Sequence, residues 1–397
     1  MSNIQILVNK LCPDGVQFKT IDEVSSKVFA GGTPTSSNAS FYGGDIPWLR
    51  SGEVDFNVID KTEMSITKLG FDNSSARWIK PNSVLLAMTG ATVARSATNS
   101  IALTANQSVA AIEPKPCINY RFLYYCLSND YLKIKGMAQG AMSSINLKII
   151  KSILVPVPPI EIQLEIVSIL DKFTSLITNR ISELKLRQIE FEEIRNRLFY
   201  KLSNSVDGFK IQEFAKNQSV KNKNQECKDA YSITQQGLVR TSDFFKEAKI
   251  TSENTSGYKI VRKRWFVYSP SRIDVGSISF SNLDYDVIVT SLDVVFSVDE
   301  TVVMNEYLLN YLLSHYGMFQ ILANRQGIEG TGRKTLPFDS FGRIVVPVPP
   351  LSKQREVVGS FSKLTNLILS ISNEITARQK QYEYYRDKLL TFKELKA

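Results

Sequence analysis

The chain carries one 47-residue stretch twice. Residues 153–199 open with Ile153-Leu154-Val155-Pro156-Val157-Pro158-Pro159, and residues 344–390 open with Ile344-Val345-Val346-Pro347-Val348-Pro349-Pro350. Each opening runs on into a long charged segment with an apolar stripe. The offset is 191 throughout and needs no gap; 19 of the 47 paired positions are identical, among them Gln163/Gln354, Thr174/Thr365, Glu183/Glu374, Arg187/Arg378 and Arg195/Arg386. A period near half the chain length means two copies of one large unit, not a solenoid.

Each copy has a physical reading. The prolines cannot sit inside a helix and stiffen an extended lead-in. Past them the apolar period becomes 3.5. In the first copy Ile166, Leu170, Phe173, Ile177, Arg180, Leu184, Arg187, Phe191, Ile194 and Leu198 fall alternately four and three apart. In the second copy Val357, Phe361, Leu364, Ile368, Ile371, Ile375, Arg378, Tyr382, Tyr385, Leu389 and Phe392 keep the same register. That spacing is the seam of a coiled coil. A helix of roughly 40 residues is about 60 Å long, too long for one ordinary domain. The two copies are expected to pack on each other, antiparallel, holding two globular units apart. The alternative is a pair of amphipathic helices, each lying on its own domain.

The 397 residues are enough for two domains with cores of their own, and 43% hydrophobic content fits a folded chain. No run approaches the 18 apolar residues of a membrane span, and Met1-Ser2-Asn3-Ile4-Gln5 lacks a signal-peptide pattern, so a cytoplasmic location is expected. Cys12, Cys117, Cys126 and Cys227 have no paired spacing, which argues against zinc. The single histidine, His315, has no motif around it and reads as structural. The formal net charge of +9 favours a polyanionic partner.

In chain order, residues 1–155 read as a small mixed α/β domain. Residues 24–28 give way to a polar loop from Gly31, short strands are expected at 44–54, 83–88 and 106–112, and an amphipathic helix at 119–132. Residues 156–203 are the central helix. Residues 204–346 begin with a basic linker holding Lys216, Lys221, Lys223 and Lys228. They repeat the order of elements, with a turn at 269–272 placed like the one at Thr89 and a helix at 306–322. Residues 347–397 are the distal helix. The fold class is therefore α+β: two mixed α/β domains in a pseudo-two-fold repeat, joined by an antiparallel coiled coil.

Catalytic motifs fail one by one. The 327–335 segment resembles a phosphate loop, but Arg333 stands where a lysine should follow Gly332, and a helix precedes it. Asp243, Glu247 and Lys249 are too tightly spaced for a nuclease cluster, and one histidine cannot build a Ser-His-Asp set. Binding remains. Arginine suits phosphates and guanine, and Asn or Gln suits adenine. Candidates in the first domain are Arg50, Ser51, Thr89, Arg95, Asn106 and Gln107. In the second they are Arg240, Ser269, Arg272, Arg325, Arg333 and Lys334.

These features resemble the specificity subunits of type I restriction-modification enzymes. The matching stretches are Cys12-Pro13-Asp14-Gly15-Val16, Gly31-Gly32-Thr33-Pro34, Ile46-Pro47-Trp48-Leu49-Arg50-Ser51-Gly52, Tyr268-Ser269-Pro270-Ser271-Arg272 and Gly276-Ser277-Ile278, with both proline-led helices and their Gln163 and Gln354. The resemblance implies a non-catalytic subunit whose two target recognition domains each read half of a bipartite, asymmetric site in double-stranded DNA. It implies helices that set the spacer and dock two modification subunits, with restriction subunits joining the complex. S-adenosylmethionine, ATP and Mg would then belong to those partners, with no cofactor in this chain. Exposed apolar surface on the coil makes self-association of the lone subunit an expectation too. The competing reading is an assembly scaffold without DNA readout.

Overall fold

A computed structural model gives the structure of the chain; residues 2–139, 143–244, 254–327 and 334–395 are described. Contacts divide the chain into two units, Met1–Arg180 with Glu374–Ala397, and Ile181–Asn373. The divisions fall inside the long helices rather than at their ends.

Both proline lead-ins are short strands. Leu154–Pro156 pairs antiparallel with Phe18–Thr20, and Val345–Pro347 pairs antiparallel with Gly208–Lys210. The Pro-Pro pair that follows has no amide hydrogen to continue a ladder, so each strand stops there. Helices then begin at once: the central one spans Ile160–Ser203 and the distal one Leu351–Leu390.

In the first unit a five-stranded sheet has the order Ser25–Ala30, Val109–Pro114, Val84–Ala87, Ser96–Asn99, Val58–Ile59. Val84 and Leu86 face the helix Tyr120–Asn129, whereas Leu85 and Ala87 face a second cluster with Leu49 and Val54. Both faces are dry, which is why 84–87 reads as an unbroken apolar run instead of alternating. A three-stranded sheet of Met64–Ile66, Tyr42–Leu49 and Thr104–Ala105 completes the unit.

The second unit repeats the sheet as Ala215–Asn217, Val294–Val298, Phe266–Tyr268, Ile278–Phe280. Lys216 therefore lies in a strand, not in a linker. Its core is aromatic: Phe266 stacks on Phe296 at 4.8 Å, and Phe199 of the central helix sits edge-on to Tyr307 and Tyr311. Val267 and Val295 point the other way, into a cluster with Val261, Val287 and Val289.

Within each unit the long helices run antiparallel. In the first, Phe173 meets Tyr385 at 5.6 Å and Arg180 reaches Glu374 at 3.2 Å. In the second, Phe191 meets Phe361 at 5.6 Å. The helix ends also enter the globular cores: Ile166, Leu170 and Leu389 in one, Phe199, Leu202 and Val357 in the other. Pairing with each other and packing on a domain are thus both true. Glu374 is held below the ordinary carboxylate range by its hydrogen bond from Arg378 and by the nearby Arg180.

One seam position moves. Ile194 is 40% exposed, while Arg195 and Phe199 are buried. The seam leaves its alternating step at Phe191 and advances by four to Arg195 and Phe199. A straight helix drifts this way once it follows a globular core instead of a partner helix. Two helices also differ from expectation. The 119–132 segment is Tyr120–Asn129 followed by Tyr131–Lys135, and 306–322 is Asn305–Leu312 followed by His315–Asn324. Ser314 makes the second break, since its hydroxyl accepts from Gly317 N and starts a new helix.

No described helix is long and apolar enough to cross a membrane, and no acidic, cysteine or histidine cluster among the described residues suits a metal. All four cysteines are free.

Candidate nucleic-acid interface

In the first unit, parallel pairing brings separate candidates together. Trp48 lies opposite Thr104 and Leu49 opposite Ala105, so both strands end side by side. Asn106 N then donates to Leu49 O at 2.9 Å, setting Asn106 and Gln107 beside Arg50 and Ser51. Gly32 N donates to Ala105 O at 2.8 Å, and Trp48 Nε1 donates to Gly32 O at 3.0 Å. This approach demands glycine: a Cβ on Gly31 would lie 2.1 Å from Ala105 O, and one on Gly32 2.3 Å from Ala76 N. Thr33 Oγ1 donates to Gln107 Oε1, and Asn106 Oδ1 accepts from Ser108 N to close an Asx turn. Met88 N donates to Ser108 O at 2.8 Å, which draws Thr89 to the same edge.

The first unit's two candidate arginines are already paired. Arg50 bonds to Glu63 and has Glu53 at 3.9 Å; Arg95 donates to Asp55 at 2.8 Å. The Arg50–Glu63 and Arg95–Asp55 pairs are partly exposed and so weak in water, and phosphate oxygens can take the place of these carboxylates.

In the second unit the equivalent turn is residues 269–276. Ser269 N donates to Ser277 O at 3.1 Å, and Gly276 adopts a left-handed φ of 83°. Arg272 is exposed near its tip. Lys334, also exposed, pairs with Gly327 in a two-residue strand beside this turn. Arg240 sits elsewhere, on the hairpin of Tyr231–Thr234 and Gly237–Arg240; Asp229, at 2.7 Å, pushes its pKa up. Arg325 does not face solvent, since its side chain is 9% exposed and bonded to Asp274. Arg333, with Glu247 and Lys249, lies outside the described residues.

Each unit is stapled to a helix by the same residue. Gln163 is fully buried; its Oε1 accepts from Asn119 N at 2.8 Å, and its Nε2 donates to Cys117 O and Pro158 O. Gln354 does the same with Met304 N, Val302 O and Pro349 O. The repeat's identity at this pair thus has a structural cause: one amide satisfies three backbone groups.

Residues 13–190 match the family model described as the type I restriction modification DNA specificity domain. The chain is 27% identical over 99% of its length to a putative type I restriction enzyme specificity subunit of Haemophilus influenzae, whose whole length is covered. It is 32% identical over 46% of its length to the EcoR124I/EcoR124II specificity subunit of Escherichia coli, and that match spans about half, 48%, of the relative. The solved S subunit of a type I system from M. genitalium has the same fold, with a TM-score of 0.60 and 16% identity over 95% of this chain and 96% of that one. A chain from a structural study of type I complex assembly gives 0.58, with 14% identity over 95% of this chain and 97% of that one. The chain is thus similar, over nearly its whole length, to type I restriction-modification specificity subunits.

Sequence reasoning about this chain missed two polar locks. In the first unit Arg121 and Tyr125 both bond Asp171 of the central helix, and burial pushes the Tyr125 phenol far up. In the second, Arg264 bonds Glu300 and Glu306, which hold its pKa up. Neither lies in a motif, and the partners are 36 to 50 residues apart, so pattern reading had no signal to use.

Proposed function

We propose that this chain is the non-catalytic, sequence-reading component of a type I complex. Its first domain, residues 1–155, reads one half of a bipartite asymmetric site in double-stranded DNA; its second, residues 204–346, reads the other. The central and distal helices, 156–203 and 347–397, set the spacer and dock two modification subunits. Methyl transfer from S-adenosylmethionine would occur on those partners, and restriction subunits would supply the ATP- and Mg-dependent steps, all in the cytoplasm.

One observation carries this reading. Two units that share the order of four sheet strands put different polar residues on equivalent loops: Thr89 beside Gln107 and Arg50 in one, Ser271 and Arg272 in the other. A repeated body with unlike loop residues suits the reading of two unlike sequences. The net charge of +9 supports a polyanionic partner. Apolar side chains left exposed on the helices, such as Leu176, Leu186, Ile189 and Leu369, suit subunit docking.

The test is a genome-wide adenine-methylation map, made beside the cognate modification subunit with the chain present and deleted. Loss of one split motif on deletion is the expected result. Unchanged methylation, with the subunits still associating, would favour the scaffold reading.

A further inference from the structure

Arg325 follows the helix His315–Asn324, and its side chain is nine-tenths buried. Its Nη1 donates to Asp274 Oδ2 at 2.5 Å; its Nη2 donates to Ser271 O at 3.0 Å and to Lys334 O at 2.8 Å. One side chain therefore ties the 269–276 turn, the helix end and the strand at Lys334 into a single piece. Leu336 N to Pro270 O, at 3.0 Å, and Tyr268 OH to Leu336 O, at 2.9 Å, close the same piece from the other side.

This is an expensive way to gain stability. A buried ion pair contributes little net, because desolvation cancels most of its attraction. Arg325 Nε is moreover buried without a partner, which costs stability outright. An apolar side chain would fill the space at less cost, so the arginine is explained by the loop shape it enforces. Among the described residues, the first unit holds its own turn without a buried cation: Arg95, at the end of that turn, pairs with Asp55 but its side chain is 32% exposed. There Ile145 N donates to Met88 O at 2.8 Å, and Ala94 takes the left-handed φ of 67° that Gly276 supplies in the second. What the brace fixes in place is exposed: Ser271 and Arg272, the latter touching no described acceptor with its side chain.

We propose that the 269–276 turn is the base-reading edge of the second unit, with Arg272 as the contact residue and Arg325 as a positioning residue that never touches DNA. The proposal rests on the DNA-reading function above. A guanidinium presented on a rigid turn suits the paired acceptors of a guanine edge.

The experiment expresses the full chain with its cognate modification subunit and compares methylation motifs for wild type, Arg272→Ala, Arg325→Ala and Arg325→Lys. Arg272→Ala is expected to relax one or two base pairs in one half-site by about ten-fold or more, leaving the other half intact. Arg325→Ala is expected to relax the same half, and Arg325→Lys to recover part of it, since an ammonium keeps the charge beside Asp274 but cannot reach both carbonyls. Arg325→Ala also lowers Tm, a change any structural role would give, so Arg272→Ala decides the assignment alone. Both halves still fully specified in Arg272→Ala would overturn the proposal, whether methylation is unchanged or evenly reduced. If instead the wild-type chain yields no motif that depends on it, the DNA-reading function itself falls.

Discussion

The two units answer the same structural problem with one shared device and one that differs. Both fasten a helix to a proline lead-in through a buried glutamine, Gln163 or Gln354, with matching acceptors and donors. At the loops they part. The first unit brings its strand ends together by backbone approach over Gly31 and Gly32, whereas the second braces its turn with the side chain of Arg325. Joints between domain and helix are thus alike in kind, while loop supports are free to change. That is the division expected of a body whose loops must read different things.

The largest effect should come from the shared joint. Gln163→Leu or Gln354→Leu leaves one buried and two part-buried backbone groups without their partner, at about 1–3 kcal/mol for each that water cannot reach. Denaturant unfolding should show a loss of about 3–5 kcal/mol in the unit that carries the change, and of similar size for either site. A large loss for one and none for the other would break the equivalence. Next, Gly32→Ala should destabilise only the first unit, by about 2–4 kcal/mol, because the new Cβ meets backbone rather than a movable side chain. Hydrogen exchange resolved by unit would detect it, and uniform protection in the variant would contradict the tight approach. The smallest effect belongs to Ile194→Gln. An exposed residue off the seam should cost no more than about 0.5 kcal/mol in thermal unfolding, whereas a seam residue would cost several times that.

Much of this architecture is legible in the order of amino acids alone. The repeat, the proline stop and the 3.5 period define the long helices because each is a local pattern with one physical cause. Ile194 escapes because the seam changes partner there, from helix to globular core, and period alone does not see partners. The buried pair of glutamines is visible as an identity, but its role depends on amides of Asn119 and Met304, about 45 to 50 residues away. Arg325 shows the limit for the site. In sequence it is one more arginine in a polar loop; only its meeting with Asp274, 51 residues earlier, separates a brace from a contact.

The central claim is that two interchangeable bodies on one helical pair read the two halves of a split site. The direct test replaces residues 208–347 with residues 18–156, segments that begin and end on matching strand pairs. The chimera is then expressed with the modification subunit, and its methylation motif is read at base resolution. The account predicts a motif whose two halves are inverted copies of one wild-type half. A motif that keeps both original halves, or a chimera that folds, binds its partner and methylates nothing, would contradict it.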